Sequence, residues 1–125
     1  MIGWWIVITA LTPEEQTKIT EDERKAAMLA NWETSVGGLD WIKTLIAQGK
    51  VTELARGGYP NRYMAKAEDV LTILENGIPD HKGMMIFGDD YVTPAGWKDN
   101  IVLHQERMDE CKKDKIITIE AWDLS

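Results

Sequence analysis

Residues 50–77 read KVTELARGGYPNRYMAKAEDVLTILENG, and this stretch decides the predicted fold. Two short runs, 51–56 and 62–67, flank a segment dense in turn formers, which predicts an antiparallel hairpin. The apolar residues of 68–75 then fall on one side of a helix that ends at Asn76-Gly77. A hairpin followed directly by a helix indicates an α+β domain.

Both ends of the chain are predicted to be strands. Residues 2–9 carry β-branched and aromatic side chains on both parities, which predicts a strand covered on both faces and central in its sheet. Residues 116–122 are strand-like as well, and 84–87 form a brief apolar strand. We expect the two terminal segments to lie side by side in one antiparallel sheet, with amphipathic helices packed across it.

Several helix signals lie between these strands. Thr12-Pro13-Glu14-Glu15 supplies an N-cap, a proline at the first helical position and a capping-box glutamate, and Thr20 with Glu23 repeats the start signal. The spacing in 22–36 predicts an amphipathic helix. Gly37-Gly38 either breaks or kinks it before the pattern resumes at 39–49. A further helix is predicted from Thr93-Pro94 to about Lys113, because one helical stripe contains Trp97, Ile101, His104, Met108 and Cys111.

Composition narrows the range of functions. The 125 residues fit one domain spanning 1–125. With 14 Lys and Arg against 21 Asp and Glu, the net charge is −7, which disfavours nucleic acid as a partner. The single cysteine, Cys111, excludes an internal disulfide and indicates a reducing compartment, so cytoplasm is predicted. We expect neither a membrane span nor a cofactor.

The segment Trp41–Val51, followed by the hairpin and by Ala67–Leu74, resembles the middle of dimeric α+β barrel proteins. That superfamily includes the YCII-like, muconolactone-isomerase-like and small monooxygenase-like families. The resemblance implies a ferredoxin-like split βαβ sandwich with an antiparallel sheet, helices on one face and a homodimer, with an inserted strand-helix segment near residues 84–113. It carries over no catalytic residue, because 22–49 contain no counterpart of the histidine that YCII-like proteins place on their first helix.

Two sets of residues suggest chemistry without completing a known motif. Carboxylates and an imidazole flank the strand at 84–87 and are weak candidates for a divalent cation site: Asp80, His81, Asp89 and Asp90. Solvated turn residues are the more ordinary interpretation. His104 lies on the apolar stripe of the predicted last helix, where it is a weak candidate for an acid or base. A core histidine bonded to a neighbour is the commoner case.

Aromatic residues suggest a binding surface. Six tryptophans are many for this length, and we expect one or two to line a pocket or a partner surface. Trp5 and Trp122 are the candidates, because they lie on strands near the chain ends, where a dimer sheet can meet. Tyr59 and Arg62 belong to a loop suited to an anionic or aromatic ligand, although a plain hairpin turn is the simpler interpretation. Tyr63 follows as a further ligand-binding candidate.

These observations support two hypotheses of different classes. The favoured one is a small acidic interaction protein that binds a protein partner, of the immunity or phage-encoded defence-inhibitor type. It depends on the negative charge, the surplus of indoles and the absence of a recognisable catalytic motif. The alternative is a small-molecule-binding protein or cofactor-free enzyme, isomerase-like or monooxygenase-like. Its pocket for a small apolar ligand would be lined by Trp4 or Trp5, Tyr63 and His104.

Overall fold

The structure, a computed structural model, describes residues 3–57, 60–75, 77, 85–87, 91–93 and 98–124. Its strands are β1 Trp4–Thr9, β2 Met28–Thr34, β3 Val51–Ala55, β4 Asn61–Lys66, β5 Met85–Phe87, β6 Tyr91–Thr93, β7 Lys98–Leu103 and β8 Ile116–Asp123. Its helices are α1 Pro13–Gln16, α2 Glu21–Ala26, α3 Asp40–Ala47, α4 Ala67–Leu74 and α5 Gln105–Glu110. The mixture of strands and short helices confirms the α+β class.

Six of these strands form one open antiparallel sheet in the order β3-β4-β8-β1-β2-β7. The terminal strands β1 and β8 are neighbours, with Trp4 opposite Asp123 and Thr9 opposite Thr118. β1 is central, as its two apolar faces predict. The strands β5 and β6 pair with each other in a separate two-stranded sheet.

The ferredoxin-like details are not confirmed. A split βαβ sandwich of the predicted elements places β4 directly beside β1, whereas β8 lies between them. Because β2 pairs with one side of β1 and β8 with the other, β1 has no hydrogen-bonding edge left for β4. What the sequence anticipates correctly is the antiparallel sheet with adjacent termini.

Signals that act within a few residues are confirmed. The Thr12 side chain accepts from the Glu15 backbone N–H, and the Glu15 carboxylate accepts from the Thr12 backbone N–H, which completes the capping box of α1. Thr20 caps α2 in the same way through the Glu23 N–H. Gly49 follows α3 with a φ of 76°, the left-handed conformation in which helices commonly end.

The helix predicted over 22–36 is wrong beyond Ala26, because Met28–Thr34 is strand β2. Ala30, Trp32 and Thr34 are buried on one parity, so this segment fits a strand as well as it fits a helix. Six paired positions with β1 decide in favour of the strand. A 3₁₀ turn, Val36–Leu39, contains the two glycines and leads into α3.

The long helix predicted from Thr93 to Lys113 is also wrong. Lys98–Leu103 is strand β7, which pairs with β2 at the edge of the main sheet, and only Gln105–Glu110 is helical. The supposed insertion therefore contributes a strand to the sheet. The apolar spacing is misleading here because Ile101, Val102 and Leu103 are consecutive exposed residues rather than a buried stripe.

One face of the sheet carries the hydrophobic core. We define it as the first face, and its residues include Ile6, Ile8, Trp32, Tyr63 and Ile119, all 0–4% exposed. They form one cluster with buried residues of three helices, namely Ile42 and Leu45 of α3, Val70 and Leu74 of α4, and Met108 of α5. Burial of this cluster is the main stabilising contribution to the fold.

The opposite face, which we define as the second face, is different in composition. Its alternating positions include Trp5 and Val7 of β1, Arg62 of β4, and Glu120 and Trp122 of β8. Helix α1 and the segment just before it make polar contacts with this face. Gln16 of α1 donates to the Thr9 hydroxyl, and the Thr118 hydroxyl donates to the carbonyl of Leu11, which precedes the helix. The prediction that all helices lie on one face is therefore wrong for α1.

Candidate functional site

Trp5 and Trp122 lie directly opposite each other in the β1–β8 ladder, on the second face. Both side chains are half-buried. The strands that carry them are the two central strands of the sheet, so neither indole is at a sheet edge. Edge-to-edge pairing of two sheets at these residues is ruled out, since a central strand has no free edge, and a dimer surface here stays a prediction. The two tryptophans nevertheless form a cross-strand pair of aromatic residues on one face of the sheet.

Other tryptophans belong to the core. Trp32 is 1% exposed and lies beside Trp41, with ring centroids 6.2 Å apart and planes tilted by 31°. Trp4 packs partly buried against the same cluster. The Trp41 indole nitrogen is buried without a hydrogen-bond partner in the part of the chain that the structure describes. Trp97 lies outside the described residues. The pair on the second face is therefore distinct from the core indoles.

Arg62 and Glu120 form an ion pair next to the aromatic pair. Arg62 Nη2 donates to Glu120 Oε2 at 3.1 Å, and the two residues are opposite each other in the β4–β8 ladder. The Glu120 side chain is 3% exposed, whereas the Arg62 side chain is 38% exposed. A buried carboxylate is costly without a counter-charge, and the Arg62 guanidinium supplies one at this position.

Glu120 is a functional candidate that sequence reasoning missed. The available signal is its context, since it is an acidic residue inside the apolar run Ile116–Trp122. Its neighbours Val7 and Arg62 flank it in one cross-strand row, and Trp5 and Trp122 form the next row. We call Trp5, Arg62, Glu120 and Trp122 the second-face cluster.

Tyr63 is not part of this cluster. It follows Arg62 on β4 and therefore points to the first face, where it is 4% exposed within the core. Burial raises the pKa of its hydroxyl, and the nearby Glu53 carboxylate raises it further. Tyr63 is thus a neutral core residue, and its selection as a ligand-binding residue is not supported by its position.

His104 lies at the end of β7, one residue before α5, instead of on a buried helical stripe. Its backbone N–H donates to the carbonyl of Leu29 at 2.9 Å, and its carbonyl accepts from Met108. The side chain is half-buried and does not cap the helix. His104 therefore terminates a strand, and Trp5 and Tyr63 lie on opposite faces of the sheet.

The remaining candidates cannot be placed. Tyr59 and the weak metal set of Asp80, His81, Asp89 and Asp90 lie outside the described residues. Within the described ranges, no three His, Cys, Asp or Glu side chains are grouped so as to hold a metal ion. Nor does any helix in those ranges combine the length and apolarity that a bilayer crossing needs.

A small depression lies between α4 and α5. Its volume is about 30 Å³, and it is lined by Leu71, Leu74, Glu75, Gln105, Met108 and Asp109. Sites for metabolite-sized ligands are of the order of 300 Å³ or more, so this depression is suited only to a water molecule or two. Cys111 lies just beyond α5, and burial raises the pKa of its thiol, which argues against a reactive thiolate there.

Comparison with models of known protein families, with curated proteins and with solved structures finds no match. The resemblance to dimeric α+β barrel proteins stays a prediction from the sequence. The functional argument therefore depends on the second-face cluster and on the surface of the described residues.

Proposed function

We propose that the chain is a non-enzymatic interaction protein that binds a protein partner through the second-face cluster. The observation that carries this proposal is the position of Trp5 and Trp122 opposite each other, half-buried, beside the Arg62–Glu120 ion pair. The wider class, an immunity protein or an inhibitor of host defence acting in the cytoplasm, remains the prediction made from composition.

The residue types of this cluster match those that contribute most to protein–protein affinity. Tryptophan and arginine are enriched among residues whose truncation costs 2 kcal/mol or more of binding energy, and these residues gather near the centre of an interface. Half-buried indoles have little conformational entropy left to lose, because the strands already hold them in place. Trp5 and Trp122 therefore offer a preorganised apolar contact area.

The ion pair adds polarity to this contact area. Glu120 is held by Arg62, while 38% of the Arg62 side chain remains exposed. The accessible part of the guanidinium offers N–H donors to carbonyl or carboxylate groups of a partner. An indole pair next to a partly satisfied arginine resembles the apolar centre and polar surround of a specific interface.

The net charge of −7 indicates what kind of partner fits. A protein with this charge attracts basic surfaces at long range and repels acidic ones. We therefore expect a partner with a basic contact surface. Its association with this chain slows and weakens as salt concentration rises.

Capture of partners by matched variants tests the proposal. Tagged wild-type chain, Trp5→Thr, Trp122→Thr and Leu54→Thr are used in parallel on lysate of the organism that encodes the chain. Leu54 is 43% exposed on β3, two strands from β8 and three from β1, so its variant controls for loss of an exposed apolar residue remote from both tryptophans. Threonine keeps the strand preference while it removes the indole.

We expect one captured protein to be retained by the wild type and Leu54→Thr and lost by both tryptophan variants. With that protein purified, calorimetry should show affinity about 30-fold weaker for each tryptophan variant, which corresponds to about 2 kcal/mol. If every captured protein binds all four chains equally, the proposal is wrong.

The small-molecule alternative makes a different prediction. If the purified chain captures no protein, yet its melting temperature rises with aromatic carboxylic acids or other small metabolites, the interaction proposal is overturned. Trp5 and Tyr63 lie on opposite faces of the sheet, so a pocket for this alternative can combine Tyr63 with Trp4 but not with Trp5.

A further inference from the structure

The outer edge of β7 has an unusual surface. Ile101, Val102 and Leu103 are consecutive and are 49%, 41% and 37% exposed. β7 is the last strand of the sheet on this side, paired only with β2 in the described part of the chain. An exposed apolar edge strand presents unpaired backbone groups and is a template for another strand.

The backbone register shows which groups are available. The His104 N–H donates to Leu29 O, and Val102 is opposite Asn31 two positions earlier. Because hydrogen-bonded pairs alternate with non-bonded pairs in an antiparallel ladder, Val102 directs its N–H and C=O toward β2. The C=O of Ile101 and both backbone groups of Leu103 therefore point away from the sheet.

We propose that two copies of the chain pair through β7, antiparallel about a two-fold axis at Val102, and so join their sheets into one. In this register the Leu103 N–H of each copy donates to the Ile101 C=O of the other. The two Val102 residues form a non-bonded pair, in which side chains approach most closely. The apolar run is thus complementary to itself.

The charges near the run do not oppose a second copy in this register. Ile101, Val102 and Leu103 are uncharged, and a two-fold axis at Val102 pairs them only with one another. No like charges therefore face each other within the paired residues, although each copy carries a net charge of −7.

The structure limits this pairing to a short, closed contact. Before Ile101, the regular edge is interrupted at Asn100, which has a φ of 48° and lies at a bulge in the pairing of β2 with β7. After Leu103, the strand ends because α5 begins at Gln105. The opposite edge of the sheet, β3, contains Glu53, which forms an ion pair with Arg56 just past the end of the strand. Charged side chains on β3 disfavour pairing there, so the contact closes as a dimer instead of continuing as a filament.

A charge-swap experiment tests the two-fold axis. The wild type is expected to sediment as a dimer, and Val102→Lys and Val102→Glu are each expected to sediment as monomers, because like charges then meet at the axis. Mixing the two variants should restore a dimer. The matched control Leu54→Lys, on the β3 edge, should remain dimeric. Because each copy is acidic, added salt should strengthen this dimer, whereas it weakens binding of a basic partner.

A cysteine experiment tests the register without depending on charge. In a Cys111→Ser background, Val102→Cys should form a disulfide between copies under mild oxidation, since the expected separation of the paired Cα atoms suits that bond. Leu54→Cys in the same background should not. A monomeric wild type overturns the proposal, as does a dimer unaffected by both Val102 charges or equal cross-linking at positions 54 and 102. Occupation of β7 by a strand of another protein, with the chain alone monomeric, overturns it as well.

This inference is independent of the proposed partner binding, which uses the second-face cluster in the middle of the sheet. If Val102→Lys is monomeric and still captures a partner whose binding requires Trp5, the dimer contact and the partner-binding surface are separate.

Discussion

The two faces of the same sheet differ in what they bury. On the first face, Ile8 and Ile119 are fully buried and pack with residues of α3, α4 and α5. On the second face, Thr118 and Glu120 are buried just as deeply but are polar, and each has a defined hydrogen-bond partner. Consecutive residues of one strand thus serve opposite roles, because side chains alternate between faces. Stability comes mostly from the first face, and specific recognition is expected of the second.

The largest loss of stability should come from shortening a buried side chain on the first face. Ile119 lies opposite Ile8 of β1 and Tyr63 of β4 and is fully buried. Ile119→Ala removes buried methyl groups and leaves a cavity, so we expect the free energy of unfolding to fall by about 3 kcal/mol in urea titrations. The exposed Leu54→Ala should change it by less than about 0.5 kcal/mol. Equal losses in the two variants would contradict this division between core and surface.

A smaller loss of unfolding free energy is expected at Gly38, which lies in the 3₁₀ turn after β2. A Cβ added at Gly38 would overlap the side chain of Thr34, which is 1% exposed at the end of β2. Gly38→Ala should lower the free energy of unfolding by about 2 kcal/mol.

The matched comparison is Gly49→Ala. That position is open but has a φ of 76°, so the variant meets only the cost of a left-handed alanine, about 1 kcal/mol. Thr34→Ala in the same chain should relieve part of the Gly38→Ala loss. Lack of any such relief in a double-mutant cycle would show that the overlap is not the cause.

The second face should respond asymmetrically when its ion pair is broken. Arg62→Gln leaves the buried Glu120 carboxylate without a counter-charge, whereas Glu120→Gln leaves a guanidinium that is already 38% exposed. We expect losses of about 2 and about 1 kcal/mol in unfolding free energy, respectively. The double variant should lose less than the sum. Strictly additive losses in urea titrations would mean that the two side chains do not interact.

The smallest expected change in stability concerns α1, which contacts the second face through Gln16. Glu15 of α1 accepts from Lys115 Nζ at 2.6 Å and from the Thr12 backbone N–H, and these contacts lower the pKa of its carboxyl from 4.5 to about 2. A carboxyl with a lower pKa in the folded chain stabilises it above pH 4.5, and this contribution is lost as the pH falls toward 2.

Glu15→Gln should therefore be less stable than the wild type at neutral pH and equally stable near pH 2. The difference should stay below about 1 kcal/mol, because both partners are partly exposed to solvent. Urea titrations across this pH range provide the measurement, with Glu14→Gln in the same helical turn as the control. A difference that grows as the pH falls would have the wrong sign.

The elements whose signals lie within a few residues can be predicted from the amino-acid sequence. The capping box of Thr12 and Glu15, the N-cap at Thr20 and the left-handed Gly49 each fix a helix end through contacts that span at most one turn. The hairpin of β3 and β4 and the helix α4 were predictable for the same reason. The apolar terminal strands were predictable from their composition, since both of their faces need cover.

The strand conformation of Met28–Thr34 and Lys98–Leu103 depends on long-range pairing, and so does the order of the strands in the sheet. Both segments have apolar spacings that fit a helix, and a strand becomes favourable only when a neighbouring strand satisfies its backbone groups. For β2 that neighbour is β1, a segment about 20 residues earlier in the chain. The pairing of β4 with β8 is also long-range, and it brings Glu120 beside Arg62 and directs Tyr63 into the core. Side-chain neighbours across strands depend on register rather than on separation along the chain.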